Sequence, residues 1–374
     1  MLERKVKTRY VKNNDLDKIR NFFVSCYSKK TVFQNKDFLF WYFSSRDNDK
    51  SIMKKCIISE SDDGQIVSFY GGLERYLRFG NRLIPFVWGV NAYTLPEWRG
   101  KGLNSGIVKQ LKENNTINGV IGMNSKAAQF YDSVGYNMFN MHTFDRYVLV
   151  LNKKTFDIIR NIGQNVNLAK DLLYVYNQNV LAKVSNIVKL KQAVIDKNDL
   201  ELDVNIVLSI DRNMSYLKHR FINNEFINYR IFACVRGNKI LGYIASREEI
   251  LHPYKQKAYR IIDIYGNEMQ IFSLLQYIIY DAKKRGNLYI DFSMFGILYR
   301  DVMQESGFSI LKGKNVCLLP QVTSPVENRP NHEFIGLQSI KFNDDIMTLN
   351  QDDVYFTRAD SDRDRLNSVS QLSS

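Results

Sequence analysis

Three glycines, Gly100, Gly102 and Gly106, fall within seven positions of a chain that has only 20 glycines in 374 residues. Arg99 and Lys101 sit among them, in the stretch PEWRGKGLNSG (96–106). Glycine has no Cβ and reaches backbone conformations closed to other residues. Its N–H groups can therefore approach an anion closely. A loop that opens a helix adds N–H groups without intrahelical partners and the positive end of the helix dipole. The chemistry on offer is a cradle for phosphate or pyrophosphate, with two cations beside it. A glycine-rich turn that binds nothing has the same composition. Two common phosphate signatures are absent: the glycines do not fit GxGxxG, and no GKS or GKT occurs.

The flanking elements must hold that loop. A strand-like run, RLIPFVWGVNAYTL (82–95), precedes it, and a helical run (103–114) follows. Upstream lie a helix (16–27) after an Asn-Asn-Asp start signal and a dense aromatic run, KDFLFWYFS (36–44). That run reads as a helix end packed on the core. Trp41, Tyr42 and Phe43 could alternatively stack on a nucleobase. Two further strand-like runs, KKCIISES and QIVSFYGGLERYLRFG, are bounded by the turn signals Asp62-Asp63-Gly64 and Gly80-Asn81. Downstream come a strand (119–123), a helix (125–134) and a strand pair (136–151).

Residues 154–197 are polar and helix-prone, and read as a connector. From about 198 the order of helix, hairpin, strand, helix, strand and helix recurs, a repeat of elements and not of residues. The glycine loop does not recur: the matching position reads YGNEMQIFSLL, with the single Gly266. The fold class expected is α+β, with two domains, each a mixed, mostly antiparallel sheet flanked by helices. Residues 1–153 form the first, 198–320 the second, and 321–374 a looser segment with a frayed end.

Composition narrows the partners. A hydrophobic share of 45% with 24% charged residues fits a globular chain with large cores. The formal charge of +13 points to anionic partners. No basic run is interleaved with aromatics, which argues against nucleic acid. Cys26, Cys56, Cys234 and Cys317 include no CxxC pair and read as reduced thiols. The four histidines are scattered, so no metal site is expected. The N-terminal residues lack an apolar run, and no window approaches the roughly 18 apolar residues that span a bilayer. The expectation is a cytoplasmic protein without membrane insertion.

Two motifs carry a resemblance. VNAYTLPEWRGKGLNSGIVKQL resembles the acyl-coenzyme A loop of the GNAT N-acyltransferase superfamily, (R/Q)-x-x-G-x-(G/A), with Arg99, Gly102 and Asn104 at its three positions. Asn104 departs from the usual Gly or Ala. About twenty residues later, NSKAAQFYDSVGY resembles the family's N-x-x-A-x-x-x-Y-x-x-x-G-(F/Y), through Asn124, Ala127, Tyr131, Gly135 and Tyr136. The resemblance implies acyl transfer from acyl-CoA, acetyl-CoA or 3-hydroxybutanoyl-CoA, to an amine, with no metal. It implies that backbone at Ala92 and Thr94 pairs with the pantetheine arm. The N–H groups of Gly100, Lys101, Gly102, Leu103 and Asn104 hold the pyrophosphate, with Arg99 beside them. Asn124 contacts the arm, and Tyr131 protonates the leaving thiolate.

The general base is open on sequence alone. Glu74 on the third strand, Asn91 or Tyr93 on the fourth, and His142 on a later strand are candidates. The closing run DVYFTRADSDRDRLN resembles that of tandem proteins acting on nucleotide-linked amino sugars in surface polysaccharide pathways. That resemblance implies that Arg358, Arg363 and Arg365 meet a nucleotide diphosphate and Asp360 a sugar hydroxyl or amine. A self-paired, solvated charge run is the alternative. Asn91 and Tyr93 would also line the acceptor site. Other acceptors are a peptide, a polyamine or an antibiotic. A non-catalytic protein that binds coenzyme A or RNA is the alternative of another class.

Overall fold

The computed structural model describes residues 5–44, 53–113, 117–164, 186–202, 204–311, 313–323, 326–327, 333–361, 363–364, 366 and 369–372. The first part of the chain runs β1 (Val6–Tyr10), α1 (Leu16–Cys26), α2 (Lys36–Phe43), β2 (Ile57–Ser61), β3 (Ile66–Phe79), β4 (Arg82–Thr94), α3 (Leu103–Lys112), β5 (Ile117–Met123), α4 (Ser125–Ser133), β6 (Asp145–Val150) and α5 (Thr155–Asn161). The middle runs β7 (Ile187–Lys189), α6 (Gln192–Ile195), β8 (Asp199–Leu200), β9 (Leu208–Ile210), α7 (Met214–Leu217), β10 (Arg230–Arg236), β11 (Lys239–Leu251), β12 (Gln256–Gly266), α8 (Glu268–Lys284), β13 (Tyr289–Phe295), α9 (Arg300–Glu305) and β14 (Ser309–Leu311). The last part holds β15 (Val322–Thr323), β16 (Val326–Glu327), β17 (Phe334–Gln338), α10 (Asn343–Met347) and β18 (Val354–Thr357).

Local sequence explains the main elements. In α1, Ile19, Phe22 and Phe23 recur at helical spacing and are buried. In α2, the Asn35 side chain caps the helix by accepting from the Phe38 N–H at 2.8 Å. The aromatics of both helices pack on β3: Phe23 of α1 meets Phe69 edge-on at 4.9 Å, and Phe43 of α2 meets it at 5.8 Å. Much of the aromatic surplus is core. Left-handed glycines turn two of the hairpins, Gly80 between β3 and β4 and Gly237 between β10 and β11.

The expected α+β repeat is present. In each half a hairpin (β3–β4, β11–β12) leads through a helix (α3, α8) to a strand parallel to the hairpin's second arm, β5 or β13. Among the described residues sixteen strands join in one sheet, and β15–β16 form a separate ribbon. The halves meet where β9 pairs with β3 and β18 pairs with both β9 and β13.

The halves also exchange strands. β6 follows α4 in the chain, yet it pairs with β13 and β14 of the second half. β17 comes from the expected looser segment and pairs with β5 of the first. The boundary expected at 153 thus cuts across a shared sheet, and the closing segment is woven in. Its end is docked too: the Val369 N–H donates to the Lys30 carbonyl at 3.0 Å. Of the expected connector, α5 is helical, and 165–185 lie outside the described residues. Residues 136–144 form turns and isolated bridges where a strand was expected. Among the described residues no helix is long and apolar enough to cross a membrane.

Buried charge fastens the junction. Asp291 on β13 accepts from Arg146 at 2.7 Å, Arg260 at 3.0 Å and Arg358 at 3.2 Å. Arg212 donates to Asp263 at 3.0 Å and to Asp360 at 2.8 Å. Charges this deep persist only when paired.

Candidate active site

β4 and β5 run parallel from Phe86↔Ile117 to Gly89↔Val120 and then separate. β17 pairs along the far edge of β5, and beyond Gly89 no strand among the described residues pairs with β4 on the β5 side, from Val90 to Thr94. A bulge sits at the same place. Phe69↔Tyr93 and Gly71↔Val90 leave Asn91 and Ala92 opposite the single residue Tyr70, and Asn91 has a φ of 50°. Leu95 donates to Val67 across the hairpin, so the backbone of Thr94 faces the gap. Arg99 Nε donates to the Thr94 carbonyl at 3.0 Å, and its guanidinium lies 5.4 Å over the Tyr93 ring.

The glycine loop opens α3. Gly100 and Gly102 have φ of +76° and +75°, conformations that need glycine, and no atom lies within 4 Å of a Cβ built on either. Gly102 is the N-cap residue, and no side chain caps the helix. The first-turn N–H groups therefore point into open space beside the gap. Asn104 turns inward instead, taking a hydrogen bond from Thr94 Oγ1 at 3.3 Å. Lys101 lies over the Trp98 ring at 4.3 Å. Leu103 is half-buried as the first residue of α3.

On the face covered by α3 and α4, three phenols gather where the strands part. The Tyr70 hydroxyl lies so close over Gly89 that a Cβ there would be 1.8 Å away. The Tyr131 and Tyr136 rings meet edge-on at 5.0 Å. The hydroxyls of Tyr70 and Tyr136 are buried without a hydrogen-bond partner of good geometry. Burial pushes the Tyr131 phenol up to about 12, so it keeps its proton at neutral pH. Asn124 is the N-cap of α4, its Oδ1 accepting from the Ala127 N–H at 2.9 Å.

The opposite face carries a cleft between the halves. Leu73 and Arg75 of β3 form its floor. Trp41 and Tyr42 of α2 wall one side, and His219 and Arg220 the other, with Ser361 and Asp364 at the end. It continues past Arg75 to Tyr76, Ile210, Asp211 and Tyr216. Tyr42 links it to the bulge, its hydroxyl accepting from Asn91 Nδ2 at 3.1 Å. His219 lies in a π-helical turn, Lys218–Ile222, which displaces side chains from ordinary helical positions.

The structure corrects several expected sites. Glu74 lies at the cleft's rim, but its carboxylate pairs with Lys55 at 3.6 Å. Successive strand side chains point to opposite faces, so Arg75 and not Glu74 lies on the α2 face. His142 is exposed in the turn before β6 and does not reach the cleft. Tyr93 packs beside Phe22 and Tyr27. Arg358 and Asp360 are buried with Asp291 and Arg212, which removes both as free contacts for a diphosphate or sugar. Burial draws Arg358 down to about 10 against the pull of Asp291. Burial raises Asp360, since Arg212 is shared with Asp263. Arg363 pairs with Glu333 and lies against Gly122. Arg365 lies outside the described residues. Of the aromatic run, Phe43 is core, while Trp41 and Tyr42 line the cleft.

Sequence reasoning missed Tyr70, Arg75 and His219. Strand alternation alone could have preferred Arg75 to Glu74, given the face covered by α2. Nothing local marks His219, because a π turn has no sequence signature.

The second half has the same parting of strands, and there side chains meet the parted backbone. β12 and β13 pair at Tyr259↔Ile290 and Arg260↔Asp291, and then separate. Tyr355 of β18 fills the space, its hydroxyl donating to the Ile264 carbonyl at 2.6 Å. The Tyr299 hydroxyl accepts from the Gly266 N–H at 3.0 Å and donates to the Gly266 carbonyl at 2.8 Å.

No protein-family model and no curated protein matches the chain. Solved structures do. A probable N-acyltransferase of unknown function from Enterococcus faecalis V583 superposes with a TM-score of 0.58 at 12% identity, over 91% of this chain and 73% of that one. Saccharomyces cerevisiae N-myristoyltransferase with bound myristoyl-CoA gives 0.53 at 12% identity, over 90% and 79%. A GCN5-related N-acetyltransferase from Kribbella flavida gives 0.50 at 10%, over 90% and 72%. In fold, over most of its length, the chain is similar to N-acyltransferases.

Proposed function

We propose that this protein is an N-acyltransferase that takes an acyl group from acyl-CoA and gives it to an amine. One observation carries the reading. The unpaired edge of β4 runs into a left-handed glycine loop at the uncapped N-terminus of α3. That geometry suits an extended arm ending in a pyrophosphate: the edge offers strand-like hydrogen bonds, and the helix start offers N–H groups and positive dipole. The thioester of the donor supplies an activated acyl carbon.

The chain's own residues do the rest. Backbone at Ala92 and Thr94 orients the arm, and the N–H groups of Gly100 to Asn104, with Arg99 and Lys101 nearby, hold the phosphates. Tyr131 keeps a proton on its phenol beside the parting of β4 and β5, ready for the leaving sulfur. The acceptor amine enters from the cleft on the other face, past Asn91 and Tyr42. His219 lines the cleft and is the general base in this reading. The nucleotide-linked amino sugar suggested by the closing segment remains an acceptor to test, without Arg358 or Asp360 as its contacts.

Thiol release tests the proposal. Acetyl-CoA, 3-hydroxybutanoyl-CoA and myristoyl-CoA would serve as donors, with nucleotide-linked amino sugars, amino acids, peptides and polyamines as acceptors. The expected result is acceptor-dependent release that falls in Tyr131→Phe. Acyl-CoA binding with no release on any acceptor would favour a binding protein instead.

A further inference from the structure

Five buried polar atoms without a hydrogen-bond partner belong to residues that line the cleft: Arg75 Nε, Tyr216 Oη, Trp41 Nε1, Ser361 Oγ and Asp364 Oδ1, the last an acceptor that lies 3.1 Å from the Arg247 guanidinium. The other four can donate, and two of them, Arg75 Nε and Trp41 Nε1, can only donate. Buried donors in folded proteins are ordinarily satisfied, so a cluster left open calls for an acceptor group. The cations around it are unevenly balanced. Arg220 donates to Asp364 at 3.1 Å, and Asp211 accepts from Arg78 at 2.7 Å. Arg75 makes a 2.7 Å bond to the Glu74 carbonyl and has no carboxylate partner among the described residues. Burial and the neighbouring Arg220 both work against its charge. A shielded guanidinium in that state gains from an anion that offers lone pairs and no protons.

We infer that this cleft is a subsite for an oxyanion, a carboxylate or phosphate, carried by the acceptor, with Arg75 as its ion partner and Tyr216, Trp41 and Ser361 as hydrogen-bond donors. Only the oxyanion's place on the acceptor rests on the proposed acyl transfer. Arg75 lies five residues along β3 from Tyr70, which faces the bulge, roughly 16 Å of strand. The oxyanion therefore sits apart from the reacting amine. Anion recognition moves from Arg358 and Arg363, which are paired with Asp291 and Glu333, to an arginine that has no such carboxylate among the described residues.

Calorimetric titration without donor tests the subsite separately from catalysis. The probes are aminohexanoate, aminohexyl phosphate and hexylamine. Expected is binding of one or both oxyanion probes at least tenfold tighter than hexylamine, with carboxylate and phosphate distinguished by which arm binds. Arg75→Gln should lose at least tenfold, and Arg75→Lys should keep part of the affinity. Unchanged coenzyme A binding and thermal unfolding in both variants would show that the fold survives. Equal binding of hexylamine, no binding of either oxyanion probe, or full affinity in Arg75→Gln would overturn the inference. Oxyanion binding through Arg75 with no thiol release on any acceptor would leave the subsite standing and remove the acyl-transfer reading.

Discussion

The Tyr355 hydroxyl reaches across the gap between β12 and β13 to the Ile264 carbonyl, 2.6 Å away. In the first half the Thr94 carbonyl, which faces the equivalent gap, is met by Arg99 Nε at 3.0 Å from the loop that follows β4. Two halves with one architecture thus differ in what meets the parted strands: a tyrosine from a neighbouring strand in one, the arginine of the glycine loop in the other. The account therefore predicts one coenzyme A per chain. Calorimetric titration should give a single site, and two equivalent sites would contradict the assignment of the second half as closed.

The loop glycines should behave differently from one another. Gly102→Val puts a β-branched residue at a φ of +75° and a side chain over the phosphate cradle. Donor affinity should fall at least tenfold. Gly106 has ordinary helical backbone and open space around it, so Gly106→Ala should leave the donor bound and stabilise α3 by about 0.5–1 kcal/mol. Donor titrations and thermal unfolding of the two variants check this contrast.

How much of this was legible follows from the range of each interaction. Gly100 and Gly102 announce their backbone through residue type, and the strand and helix around them follow from apolar period. The closing segment was misread because a charge run does not name its partners. Asp291, which takes Arg358, lies 67 residues away in sequence, and Arg212, which takes Asp360, lies 148 residues away. The exchange of β6 and β17 was hidden for the same reason: pairing is decided by the sheet and not by the strand's own pattern. Arg75 and His219 share a cleft only because β9 and α7 pack the second half against β3.

Tyr131→Phe removes the proton held for the leaving sulfur. Turnover should fall by about 100-fold or more, with donor affinity little changed. Because burial holds the phenol near 12, Tyr131 should impose no alkaline limb on the turnover profile below about pH 10. Stopped assays across pH in both proteins test the role. Wild-type turnover in the variant would reassign the acid.

Asp291 fastens three arginines at the junction, so Asp291→Asn should cost about 3 kcal/mol in urea unfolding. The pH dependence has a definite sign. Burial opposes ionisation, but the guanidiniums prevail and hold the carboxyl well below its ordinary range. Its stabilisation is complete above the unfolded value of about 3.9 and is lost as pH falls from there. The variant should show a shallower acid slope than the wild type.

Label transfer tests the central claim most directly. The protein would be incubated with carbonyl-labelled acyl-CoA and the acceptor panel, and products read by mass spectrometry alongside free thiol. The account predicts one labelled amide per thiol released, on an amine, and a much smaller yield from Tyr131→Phe. Thiol released without amide, or no product on any amine while the donor stays bound, would contradict it.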